Sequence, residues 1–167
     1  MSEVTRINGD LVVIGAFLGA TEIAYPTGSI TNAAISASAA IAASKSQRSF
    51  PATAQQSGTV ADETIIIHIV QGSTGILKSF TCSQVTAPTG VSTFTVDLQK
   101  NGVTMLSAPV TVNAATGALG EATGTLTVTA LADGDVLTVV IDATASGTDT
   151  PATGAFAMAM IDEDYAS

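Results

Sequence analysis

Apolar and polar residues exchange at every second position through much of this chain, the period of a strand with one buried face. Residues 64–70 (TIIIHIV) are strongly β-branched and stop at Gln71-Gly72, and 75–81 form a second run. In 93–99, Phe94, Val96 and Leu98 share a face, and Asn101-Gly102 then signals a two-residue hairpin before 103–106. Residues 110–112 are short, 123–131 alternate through Leu126, Val128 and Ala130, and Asp133-Gly134 predicts a hairpin turn into 136–141. Phe156, Met158 and Met160 alternate in a last strand that Asp162-Glu163-Asp164 ends as a solvated tail. About eight strands, spaced roughly eight to twelve residues apart, predict an antiparallel sandwich, jelly-roll-like in strand number. No helix-length pattern interrupts them, which excludes a parallel βαβ fold.

The first fifty residues follow another pattern. Asn8-Gly9 is a turn signal, 11–14 and 22–25 are short candidate strands, and Pro26 ends the second. Residues 30–47 (ITNAAISASAAIAASKSQ) predict one short Ala-rich helix, capped by Ser29 or Thr31 and carrying Lys45 in its last turn. Ile30, Ala34, Ala37 and Ile41 are spaced as in a coiled-coil seam. So narrow a seam buries little, so the helix either packs on its own domain or lies along a symmetry axis with sister helices. The fold class expected is therefore mainly β: a small N-terminal β segment and the helix in residues 1–50, then a sandwich over 51–167.

Composition narrows the function classes. Only 11% of residues are charged and 4% are aromatic, with one His, one Cys and no Trp. The net charge is −9, and all the basic residues lie at or before Lys100. Such a surface repels phosphate backbones and anionic lipid headgroups, so neither nucleic acid nor membrane is an expected partner. Cys82 sits in an alternating stretch and reads as a buried strand thiol. No secretory leader and no membrane-length apolar stretch is visible, which makes synthesis in the cytoplasm the expectation. His68 lacks a second His or Cys at ligand spacing, and a metal site is not expected. Asp133-Gly134-Asp135 supplies too few oxygens for calcium and reads as a turn. No phosphate-binding signature completes the glycine loops at 72–75 and 117–120. No cofactor and no enzymatic activity are expected. Lys45 and Arg48 form a small basic cluster at the helix end.

Three stretches carry a resemblance. Residues 30–45 are similar to an element, I-(T/S)-(D/N)-x-x-I-S-x-S-A-A-I-A-x-S-K-L, of fibre-type and head-decoration proteins of tailed bacteriophages, with Ser46 where the pattern has Leu. Asn8-Gly9-Asp10-Leu11-Val12-Val13-Ile14-Gly15 resembles the N-G-D-L-x-V-x-G turns of trimeric phage fibres. Residues 96–110, with 131–137 after them, look like the sandwich of phage head-fibre and capsid-cement proteins. The resemblance implies a homotrimer on the outer surface of an icosahedral head, bound to the major capsid protein and without cofactor. The residues expected to touch the capsid are Arg6, Leu11, Val13, Phe17 and Tyr25. Those expected to pack the trimer are Ile30, Ala34, Ala37 and Ile41. The alternative is a trimeric tail fibre or an adhesive, carbohydrate-binding module. Sugar platforms expose Trp or Tyr, and this chain offers only Tyr25 and Tyr165, neither within a predicted sandwich strand.

Overall fold

A computed structural model describes residues 47–144 and 149–165. Ten strands follow one another: β1 (Gln47–Thr59), β2 (Glu63–Ile69), β3 (Ser73–Thr86), β4 (Thr93–Lys100), β5 (Val103–Thr104), β6 (Val110–Val112), β7 (Glu121–Thr123), β8 (Ala130–Leu131), β9 (Val136–Thr144) and β10 (Thr153–Tyr165). They form two five-stranded antiparallel sheets. The first has the order β1-β10-β3-β7, with β8 also on β3; the second has β2-β9-β4-β5, with β6 also on β4. With β5/β6 and β7/β8 each taken as one broken strand, the interleaved orders are those of a double-sheet jelly roll.

The expected helix requires correction. Every described element is a strand, and there is no helix among the described residues. Gln47, the predicted last residue of the helix, opens β1 instead, because its backbone is taken up by the ladder with Asp164. The rest of that prediction, 30–46, lies outside the described residues. β1 also runs straight across the position between 50 and 51 where the sandwich was expected to begin. β1 was illegible because it contains Pro51 and is mostly small or polar, with only Thr53 and Thr59 β-branched. A proline is tolerated here because β1 is an edge strand, with one side of its backbone unpaired in the sheet.

The two inner faces share one core. Phe80, Leu77, Phe94, Leu98, Met105 and Leu137 are essentially fully buried in it. β4 and β9 obey the alternation read from sequence, with Phe94, Val96 and Leu98 facing Val139 and Ile141 along the same inner face. Asn101 (φ 52°) and Gly102 (φ 80°) make the tight turn joining β4 to β5. Asn tolerates the left-handed region and Gly carries no Cβ to clash there.

Three turn and strand expectations change. Asp133-Gly134 does turn the chain, but β8 pairs with β3 and β9 with β2 and β4, so the turn joins two sheets and closes no hairpin. Residues 123–131 are not one strand. After β7 the chain stays beside β3 at Gly124, whose N–H donates to the Phe80 carbonyl at 2.9 Å and where a Cβ would stand 3.1 Å from Phe80, Leu106 and Val110. It then leans to residues 105–107, held by Thr127 N–H donating to the Met105 carbonyl at 2.8 Å. Finally, Asp162, Glu163 and Asp164 are no tail: they continue β10, paired with Ser49, Arg48 and Gln47.

Candidate functional site

Among the described residues, one end of the sandwich gathers three close pairs of ionisable side chains, His68–Glu163, Lys78–Asp162 and Lys100–Asp135. There β1 begins, β10 ends, β2 turns into β3, and β8 turns into β9. A bulge between Ile66 and His68 breaks the alternation of β2 and sets His68 opposite Leu137, on the inner side. Its Nε2 lies 2.5 Å from Oε1 of Glu163, an inward residue of β10 in the other sheet that is 6% exposed. Gly75 stands across the ladder from Glu163, and a Cβ there would come 3.2 Å from Glu163 Cγ. Phe50 packs edge-on against the His68 ring, 5.0 Å between centroids, and the Arg48 guanidinium lies 5.0 Å above the Phe50 ring. Arg48, Phe50, His68 and Glu163 thus form one stack that joins the sheets.

A second polar knot closes the same end. Asp135 accepts from the Ala132 N–H at 2.8 Å and from Asn101 Nδ2 at 2.7 Å, with Lys100 Nζ at 3.3 Å. The Ala132 backbone bond, joined by the Asn101 and Lys100 contacts, holds the Asp135 carboxyl below its ordinary range against the opposing effect of burial. Asn101 Oδ1 in turn accepts from the Val136 N–H at 2.8 Å, and Asp133 accepts from the Gly72 N–H at 2.7 Å. These carboxylates are engaged by protein donors. Among the described residues no group of three or more His, Cys, Asp or Glu is arranged to hold a metal ion. Cys82 is buried on the inner face of β3, and burial pushes its thiol up to about 12. A thiol so rarely ionised is a packing group and a poor nucleophile.

The two outer faces differ. On the first sheet, β10 turns its small residues Ala155, Ala157 and Ala159 inward and its large ones, Phe156, Met158 and Met160, outward. They line up with Gln55 and Ser83, Thr53 and Thr81, and Pro51 and Ser79 on either side. No charged residue lies on these three rows of β1, β10 and β3. On the second sheet, the outward positions of β9 and β4 include Asp142 and Asp97, beside Asp62 and Glu63 at the edge. The alternation of Phe156, Met158 and Met160 was visible in sequence, but alternation alone does not say which side is the core.

Arg6, Leu11, Val13, Phe17 and Tyr25, expected at a capsid contact, and Ile30, Ala34, Ala37 and Ile41, expected at a trimer contact, all lie outside the described residues. Of the basic cluster, Arg48 belongs to the stack on Phe50, and Lys45 lies outside them. Sequence reasoning missed the His68–Glu163 pair. The two residues are far apart along the chain, and the bulge that turns His68 inward leaves no mark on the residue pattern.

No protein-family model matches this chain, and no curated protein matches it. Among solved structures, it is similar to a chain of the cyanophage Pam1 capsid asymmetric unit, at 18% identity, over 80% of this chain and 99% of that one, with a TM-score of 0.48.

Proposed function

We propose that this chain is a structural virion protein that decorates and stabilises the outer surface of a phage capsid as a homotrimer. Residues 1–50 bind the major capsid protein, through Arg6, Leu11, Val13, Phe17 and Tyr25. Ile30, Ala34, Ala37 and Ile41 bring three copies together. The observation that carries this reading is the placement of Gln47, which starts β1 opposite Asp164 at the polar end of the sandwich. The segment bearing two of the three phage-like motifs directly precedes Gln47 in the chain. The loops at 87–92 and 149–152 lie at the other end of the sandwich.

The mechanism is mechanical. Once one copy of a trimer is seated, the others bind from a high local concentration, and weak patches sum to a tight hold. A protein that binds only the assembled lattice stabilises it by mass action against the pressure of packaged genome. The His68–Glu163 stack and the Asp135 knot stiffen the end at which that load would be transmitted.

Immunogold labelling of intact virions, with antibody raised against the purified protein, tests the reading. Gold over heads is the expected result. Gold confined to tails converts the assignment to a tail fibre, and unlabelled particles overturn a virion role altogether.

A further inference from the structure

We infer that the uncharged patch formed by β1, β10 and β3 on the outer face of the first sheet is the surface by which copies of this chain meet, with the Phe156–Met158–Met160 row of β10 at the seam. The inference rests on the trimer reading above and adds to it the face that is used.

The first observation is the inverted patterning of β10. A strand at the middle of a sheet with one solvated face normally points its large apolar residues inward. β10 lies between β1 and β3 and does the reverse: Ala155, Ala157 and Ala159 are buried, while Phe156, Met158 and Met160 face out. Three outward residues at every second position span about 14 Å along the strand. Scattered exposed apolar residues are ordinary on a protein surface, but a contiguous row along a central strand marks a contact. Met is suited to such a seam because its unbranched side chain adapts to the facing surface.

The second observation is charge, and it selects the occupant. The chain carries a net charge of −9, so two copies repel wherever acids face acids. The second sheet's outer face presents Asp97 and Asp142, and the outward positions of β2, β9 and β4 carry no basic residue. Across β1, β10 and β3, the rows from Gln55–Phe156–Ser83 to Pro51–Met160–Ser79 carry no charge, and the first acid beyond them is Glu121 on β7, past Ser83. At the next row Asp162 is accompanied by Lys78 at 3.8 Å, which offsets its charge. Centred on this patch, with Glu121 and Asp164 at its margins, an acidic chain approaches its own copies with the least like-charge penalty. Around a threefold axis, a residue near the axis meets its own equivalents, so the Met158 side chains of three copies converge.

Light scattering on a sizing column tests this with the full-length chain and needs no capsid. The wild type is expected at three times 16.6 kDa. Met158→Asp, which sets three carboxylates together, is expected to run as a monomer with an unchanged far-UV spectrum, its dissociation constant raised at least tenfold. Val140→Asp, on the opposite outer face, is expected to stay trimeric. Should Met158→Asp not fold, Thr81→Lys on the same face decides in its place, with the same expectation. A trimer that survives both Met158→Asp and Thr81→Lys overturns the seam and leaves the trimer standing. Dissociation by Val140→Asp alone places the contact on the other sheet and likewise overturns it. A monomeric wild type removes the trimer itself, and the seam with it.

Discussion

His68 Nε2 and Glu163 Oε1 lie 2.5 Å apart although they belong to different sheets. This is a cross-brace: β2 and β10 are not ladder neighbours, and each holds the other through side chains alone. Removing Glu163 leaves the partly buried His68 without this partner. Glu163→Ala is expected to cost about 1 kcal/mol of unfolding free energy, the low end for an unpaired buried polar group, because His68 is only partly buried. Glu163→Gln, which keeps a side-chain oxygen within reach, is expected to cost less. Urea midpoints of the two variants against wild type make the comparison.

Gly75 serves the same brace from the side. A methyl group there would lie 2.7 Å from the Asp162 carbonyl oxygen as well as against Glu163 Cγ. The carbonyl belongs to the β10 ladder and cannot yield as a side chain would. Gly75→Ala is therefore expected to destabilise by about 1–3 kcal/mol through overpacking. Combined with Glu163→Ala, its effect is expected to fall short of additive, because both act on one group. A double-mutant cycle from denaturant melts measures this.

The Asp135 knot gives the fold an acid-sensitive joint. Its pKa is lowered in the folded chain, chiefly by the Ala132 N–H, so ionised Asp135 favours folding. The sign follows from linkage: the contribution is complete above the carboxyl's unfolded pKa and is lost as pH falls through the lower, folded one. Asp135→Asn is expected to be less stable than wild type at pH 7. The gap is expected to close as the pH is lowered through the usual Asp range of about 4 and below. Thermal melts across pH 2–7 read the difference directly.

Cys82 offers a probe of the core that needs no mutation. It is buried on β3, with its thiol pushed up to about 12. Native protein at pH 8 is expected to resist a thiol-alkylating reagent, and to react fully once urea exposes the strand. Labelling that proceeds at the same rate with and without urea would contradict the burial of Cys82 between the two sheets.

The sequence disclosed what depends on local periodicity. Phe94, Val96 and Leu98 declared the inner face of β4, and Asn101-Gly102 declared the turn after it, because both signals lie within a few residues. What depends on distant neighbours stayed hidden. β1 is made a strand by β10 across the ladder, through Gln47–Asp164 and Pro51–Met160, and by no propensity of its own. The same ladder takes Asp162, Glu163 and Asp164 out of solvent-tail behaviour. A β-strand's two faces are interchangeable until a second sheet chooses between them. For β10 the choice fell on Ala, so the outward placement of the Phe156–Met158–Met160 row is set by the packing of the sheets and not by periodicity.

The position of β10 also sets the order of events in making the protein. It is the last strand of the sheet in sequence, yet it sits between β1 and β3. During synthesis β1 emerges with no partner in its sheet, β3 gains only the short β7 and β8 along one side, and both await residues 153–165 for their remaining ladders. Closure of the first sheet is thus postponed until nearly all the described chain has been translated, and contacts so remote in sequence form slowly. Any product that stops short of β10 leaves two long strands with open edges, which invites clumping. A ribosome that completes the strand supplies, in one step, the missing middle of the sheet.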